Sequence, residues 1–210
     1  MKRELSQAEM STAQKIADAI GVLDKLVFPE DPIKKIVVVQ GKPKIKSRAW
    51  VSYVSSDKTE DGVDFYQIYG YGLDKCVEKA IDTTRVMLFQ SKEKKLTRWE
   101  DSPKISEQEL IVSWAVHEVR HRVQDHFRSD ELFSPDLGII KNPRIREVIK
   151  FIRIMFRIRP PEGDYKLEFD ATVVEYIIRE MWHRGKRNPR YIASLIKTGA
   201  RYNQFRLQNS

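Results

Sequence analysis

The sequence predicts an α+β protein, with a small mixed sheet in its N-terminal half followed by a helical half. Three observations carry this prediction. Four short runs between residues 34 and 90 are rich in β-branched and aromatic residues; from residue 103 onward apolar residues recur at helical spacing in four segments; and prolines and glycines punctuate the joins. A chain of 210 residues can bury a sizeable core. One domain over 1–210 is expected, with 1–102 carrying a helix and the sheet and 103–210 forming the helical half.

Taken in order, residues 6–26 place Ile16, Ala19, Ile20 and Leu23 on one helical face, which predicts a first helix broken near Gly21 or ended by Pro29. After Pro32 the pattern becomes β, and strands are expected at KKIVVVQ (34–40), RAWVSYVSS (48–56), DFYQIYGYG (64–72) and TTRVMLFQ (83–90). DKTEDG (57–62) predicts a hairpin turn in which Gly62 can take a positive φ. LDKCVEKAID (73–82) fits either a short helix or an irregular crossover. Helices are expected at 106–128, 143–158, 164–184 and 189–198. The stretch 129–143 is expected to be a loop, and Pro160 and Pro161 break the chain before the third of these helices.

The charge balance narrows the partners. There are 38 Lys+Arg against 30 Asp+Glu, a net charge of +8, interspersed along the chain rather than blocked. A solvated surface is the ordinary meaning of such a pattern, and nucleic acid is a weakly supported partner because no nucleic-acid-binding motif accompanies it. The single cysteine, Cys76, excludes an internal disulfide framework and any Cys-rich zinc finger, so a metal would need histidine and carboxylate ligands. No run approaches the roughly 18 apolar residues of a membrane span. A soluble, cytoplasmic protein with no membrane partner is the expectation.

The stretch SWAVHEVRHRVQDHF (113–127) carries the chemistry. The preceding SEQE (106–109) is a Ser-x-x-Glu capping box, so a helix starting there runs into the motif. At about 3.6 residues per turn, His117 and His121 lie one above the other on one face, close enough for both imidazoles to bind one cation. Glu118 falls about 100° round, at the edge of that face, where a carboxylate can take a proton from water without being a ligand. This is the H-E-x-x-H arrangement, in which neutral imidazoles suit Zn²⁺. His126 lies about 140° off the ligand face, and His183 is placed at a helix C-terminus, where the dipole favours an imidazolium.

A catalytic zinc site takes a third protein ligand, and YKLEFDATVVEYIIREMW (165–182) offers two carboxylates at the start of a later amphipathic helix, Glu168 and Asp170. HEVRH followed by EFDAT resembles the gluzincin metallopeptidases, in which H-E-x-x-H is completed by a glutamate on a later helix, often within E-x-x-A-D. The resemblance implies that Glu168 is the third ligand and that Ala171 is the small residue that lets the two helices approach. Thr172 stands where many members carry an aspartate that hydrogen-bonds a ligand histidine. Asp170 or Glu175 would then orient the histidines instead. On a helix starting near Asp164, Glu168 and Glu175 share a face, whereas Asp170 points about 200° away from Glu168 and becomes the ligand only if the helix starts later.

In size and motif order the chain is also similar to the SprT-like and the repressor-cleaving intracellular metallopeptidases, although SprT-like proteins usually add a third histidine soon after the motif. The resemblance implies a zincin-like fold, Zn²⁺ as cofactor, hydrolase activity as a metalloprotease, and a peptide or protein substrate laid along an edge strand. TTRVMLFQ is the expected edge and IVVVQ the more central strand. The alternative from a different class is a non-catalytic zincin-like regulatory or nucleic-acid-associated binding module, with the net charge of +8 as its footprint.

Overall fold

A computed structural model describes residues 3–43, 50–86, 102–127, 143–158, 161 and 164–198. The first helix, α1 (Gln7–Val27), starts at a capping box: the Glu9 N–H donates to Ser6 Oγ at 3.2 Å and the Ser6 N–H donates to Glu9 Oε2 at 2.6 Å. It runs through Gly21 without a break. A glycine inside a helix costs only about 1 kcal/mol, and the buried Ile16, Ile20 and Leu23 hold the turns on either side. Phe28, whose N–H bonds to the Asp24 carbonyl at 2.7 Å, and then Pro29, end the helix.

Three strands follow: β1 (Ile36–Val39), β2 (Val51–Val54) and β3 (Phe65–Tyr69). Their order in the sheet is β1-β3-β2, with β1 parallel and β2 antiparallel to β3. The expected turn between β2 and β3 is present, with a single 3₁₀ turn at Ser56–Lys58 and Gly62 at φ 62°. The expectation of a central IVVVQ is corrected. β1 is an edge among the described strands, half-buried throughout, while β3, with Tyr66 and Ile68 fully buried, lies in the middle. An unbroken apolar run reports cover on both faces of a strand rather than neighbours on both edges, which is why the sequence pattern misplaced it.

LDKCVEKAID forms a helix, α2 (Leu73–Thr83), entered through Gly72 at φ 79°. TTRVMLFQ is not a strand over its described part: Thr83 closes α2 and Arg85 pairs with Lys104 in an isolated antiparallel bridge. Residues 87–90 of that run lie outside the described residues, as does all but Pro143 of the expected loop at 129–143.

The helical half contains α3 (Glu107–Phe127), α4 (Pro143–Ile158), α5 (Tyr165–His183) and α6 (Pro189–Thr198). The predicted box caps α3: the Glu109 N–H donates to Ser106 Oγ at 3.2 Å and the Ser106 N–H to Glu109 Oε2 at 2.7 Å. α3 is the spine of the molecule. It packs against α1, α5, α6 and β2, with Ala115, Val116, Val119 and Val123 fully buried. Ala171, Val173 and Val174 of α5, also fully buried, face the same core. The architecture is therefore α+β: a three-stranded sheet and six α-helices among the described residues. No helix among them is long and apolar enough to cross a membrane.

Candidate metal centre

α5 starts where Asp164 caps it, its side chain accepting from the Lys166 and Leu167 N–H groups. This start fixes which carboxylate of EFD faces α3. His117 Nε2 and His121 Nε2 lie 3.1 Å apart, and Glu168 Oε2 and Oε1 lie 3.3 and 3.4 Å from them respectively. His117, His121 and Glu168 are the group among the described residues whose geometry could hold a metal ion. The edge of a tetrahedron of ligands around zinc is about 3.3 Å for bonds of about 2.0–2.1 Å. The separation of the two Nε2 atoms is close to that edge, and a different oxygen of Glu168 lies at a similar distance from each.

The partners of the far ring nitrogens fix the tautomers. His117 Nδ1 lies 3.1 Å from Glu175 Oε2, a carboxylate that only accepts, so the proton belongs on Nδ1. His121 Nδ1 lies 2.8 Å from Gln124 Oε1. The orientation of that amide is itself determined, because Gln124 Nε2 donates to two acceptors, the Leu167 carbonyl at 2.9 Å and Asp170 Oδ2 at 2.8 Å. His121 therefore also carries its proton on Nδ1. With both imidazoles neutral, the two Nε2 lone pairs and the Glu168 carboxylate face one another as three acceptors, an arrangement that calls for a cation, either a proton or a metal ion.

A proton can be that cation. Burial works against charge on His117, but Glu168 and Glu175 on its two nitrogens outweigh it and hold its pKa well above the ordinary value. Burial likewise raises Glu168, and the two imidazoles overcome that and hold its carboxyl far below the carboxylate range. Glu175, opposed by burial, is held down by Arg179 and His117. It also accepts from Ser113 Oγ and from the Arg179 guanidinium, which in turn donates to Ser113 Oγ at 2.6 Å.

Glu118 stands beside the cluster, 8 % exposed, its Oε2 accepting from the Tyr53 N–H at 2.8 Å. The register explains that donor. Trp50 accepts from the Tyr69 N–H, so alternate residues of β2 bond inward to β3 and Tyr53 presents its N–H outward, along the sheet edge that faces α3. Burial raises the Glu118 pKa, with His117 and His121 opposing. The Tyr53 hydroxyl is anchored 2.8 Å from Asp125 Oδ2 on the same helix and 2.9 Å from Asp64 Oδ2.

Asp170, the alternative ligand, is not among the three converging groups. It is fully buried on the far side of Gln124, bonded to Arg120 Nε at 2.7 Å, and Arg120 Nη1 donates to the Ile196 carbonyl at 2.6 Å. Its connection to the two histidines runs through the Gln124 amide to His121, while Glu175 touches His117 directly. Thr172 is buried in α5, and the orienting role an aspartate would play there falls to Gln124 and Glu175. His126 packs its ring against Phe28, and His183 Nδ1 lies 3.2 Å from Glu109 Oε1. Cys76 is half-buried, its thiol pKa raised by burial.

Sequence reasoning missed Gln124, Ser113, Arg179 and Tyr53. Ser113 and Gln124 carried a signal, since 113, 117, 121 and 124 fall on one face of α3. Tyr53 contributes a backbone group and carried none. A separate apolar groove of about 500 Å³ between α1, α3 and α6, lined by Leu23, Ile111, Trp182 and Ile192, holds none of these residues. No protein-family model, no curated protein and no solved structure matches the chain.

Proposed function

We propose that the protein is a zinc-dependent metallopeptidase of zincin-like organisation. The observation that carries this reading is the convergence of His117 Nε2, His121 Nε2 and Glu168 at separations of 3.1–3.4 Å, with both Nδ1 atoms committed to acceptors. A bound Zn²⁺ would supply Lewis-acid polarisation of the scissile carbonyl and lower the pKa of water toward neutrality.

The chain's own groups have separable tasks. His117, His121 and Glu168 are the ligands. Glu175 and Gln124 hold the imidazoles in the tautomer that leaves Nε2 free. Glu118 takes the proton of the attacking water and returns it to the leaving amine nitrogen. One of its oxygens is fixed by the Tyr53 N–H, and burial brings its pKa up toward the range in which a carboxylate exchanges protons efficiently. β2 is the sheet edge beside α3, and an extended peptide laid along it is the substrate geometry this reading implies. On this reading the substrate lies along β2, whereas TTRVMLFQ was the expected edge.

The test is elemental analysis of the wild type, His121→Ala and Glu168→Ala, with hydrolysis of an unfolded protein substrate measured alongside on Glu118→Gln. About one zinc per wild-type chain, lost in both folded variants, with turnover lost and zinc kept in Glu118→Gln, is the expected result. A wild type that takes up no metal when zinc is supplied overturns the reading. Zinc with no hydrolysis in any variant would favour the non-catalytic binding module.

A further inference from the structure

The inward face of α4 is ordinary: Val148, Ile149 and Ile152 are buried and the helix packs on α5. The outward face is not. Arg146, Lys150, Arg153 and Arg157 follow one another at intervals of four, three and four residues. At 100° per residue they fall within an arc of about 60°, a stripe roughly 16 Å long. Arg146, Lys150 and Arg157 are exposed and Arg153 is half-buried. Among the described residues the acid on this face is Glu147, paired with Lys150 at 2.8 Å. Beside the stripe, one turn apart, Ile154 is 56 % and Ile158 80 % exposed.

Cations in a line with an aliphatic ledge along one side have a specific complement. A polyanion satisfies the stripe, which excludes a second copy of the same face because like charges would meet. A nucleic-acid backbone would neutralise the cations but offer nothing to two solvent-exposed isoleucines. An anionic lipid bilayer satisfies both, with headgroup phosphates on the Arg and Lys side chains and the isoleucines entering the acyl boundary.

We infer that the outward face of α4 is a peripheral docking surface for anionic membranes, held by Arg146, Lys150 and Arg157 and seated by Ile154 and Ile158. This departs from the expectation of no membrane partner, which rested on the lack of a spanning segment. Surface attachment requires no span. The inference is independent of the metal centre and holds whether or not that centre turns over.

Co-sedimentation of the full chain with vesicles of phosphatidylcholine containing phosphatidylglycerol tests it, against phosphatidylcholine alone and against duplex DNA. Each cation near such a surface is worth roughly a five-fold gain in partitioning. The triple glutamine variant Arg146→Gln/Lys150→Gln/Arg157→Gln is expected to lose about 100-fold, and the charge reversal Arg146→Glu/Lys150→Glu/Arg157→Glu, which adds repulsion, more than that. Ile154→Ser/Ile158→Ser should lose roughly ten-fold while keeping its salt dependence. Circular dichroism checks that each variant is folded. A wild type that does not sediment with the anionic vesicles at low salt overturns the proposal. So does an isoleucine variant that binds as the wild type does, and DNA retention abolished by charge reversal with no vesicle binding would assign the stripe to nucleic acid.

Discussion

Gln124 shows how one side chain decides the state of another. Its amide is locked by the Leu167 carbonyl and by Asp170, so its oxygen, not its nitrogen, meets His121. Replacing it by an apolar residue of similar length frees the imidazole to turn. Gln124→Leu is expected to weaken zinc binding by about 10–100-fold, read by competition with a chromophoric chelator; unchanged affinity would remove Gln124 from the metal centre. Behind it, Arg120 and Asp170 form a fully buried ion pair. Such pairs contribute little net stability, yet removing one partner strands the other charge at a cost of about 3–5 kcal/mol. Arg120→Met should lower the urea stability by that amount, and a loss under about 1 kcal/mol would show that Asp170 is neutralised or hydrated without it. The motif itself was legible at this scale, because residue type and spacing alone put His117, Glu118 and His121 together. The partners of their far atoms were not, since they come from α3's own next turn, from α5 and from β2.

At the scale of elements, five of the six described helices were legible to within a residue or two because each has local signals, whereas 73–82 fitted a crossover as well as the helix it forms. The boxes at Ser6 and Ser106, the cap at Asp164 and the proline at 29 all act within one turn. Gly21 and Pro29 were both expected as possible ends of α1; the intrinsic cost of a glycine is the same everywhere, so packing on both sides of Gly21 decides the outcome and the helix runs on to its end before Pro29. The site around Gly21 is open, with nothing within 4 Å of an added Cβ. Gly21→Ala is therefore expected to stabilise the protein by about 0.5–1 kcal/mol; destabilisation in chemical denaturation would mean that α1 bends there for a reason. The strands were less legible. A four-residue run has the same composition at an edge as at the centre, and pairing partners far along the chain choose between the two.

Across the whole molecule, stability at low pH should be set partly by Glu9. Its carboxylate caps α1 through the Ser6 N–H and reaches the Gly72 N–H at 2.7 Å, tying the first helix to the start of α2. These two backbone donors hold its pKa down, from 4.5 to about 2. A depressed carboxylate stabilises the fold fully above its unfolded value and loses that contribution as pH falls from about 4.5 toward 2. The wild type should therefore lose more stability across that window than Glu9→Gln does, as urea midpoints would record, and parallel pH profiles would sink the assignment. The α+β class, most helix boundaries and the pairing of His117 with His121 on one helical face were determined by the sequence, because periodicity, capping and i, i+4 geometry act over a few residues. Tertiary structure alone decided three things: that Glu168 rather than Asp170 meets the histidines, that Gln124 and Glu175 fix their tautomers, and that β2 is the edge beside Glu118. Each depends on groups brought together from distant parts of the chain, where a rotation of one helix by a single residue, about 100°, would exchange one carboxylate for another.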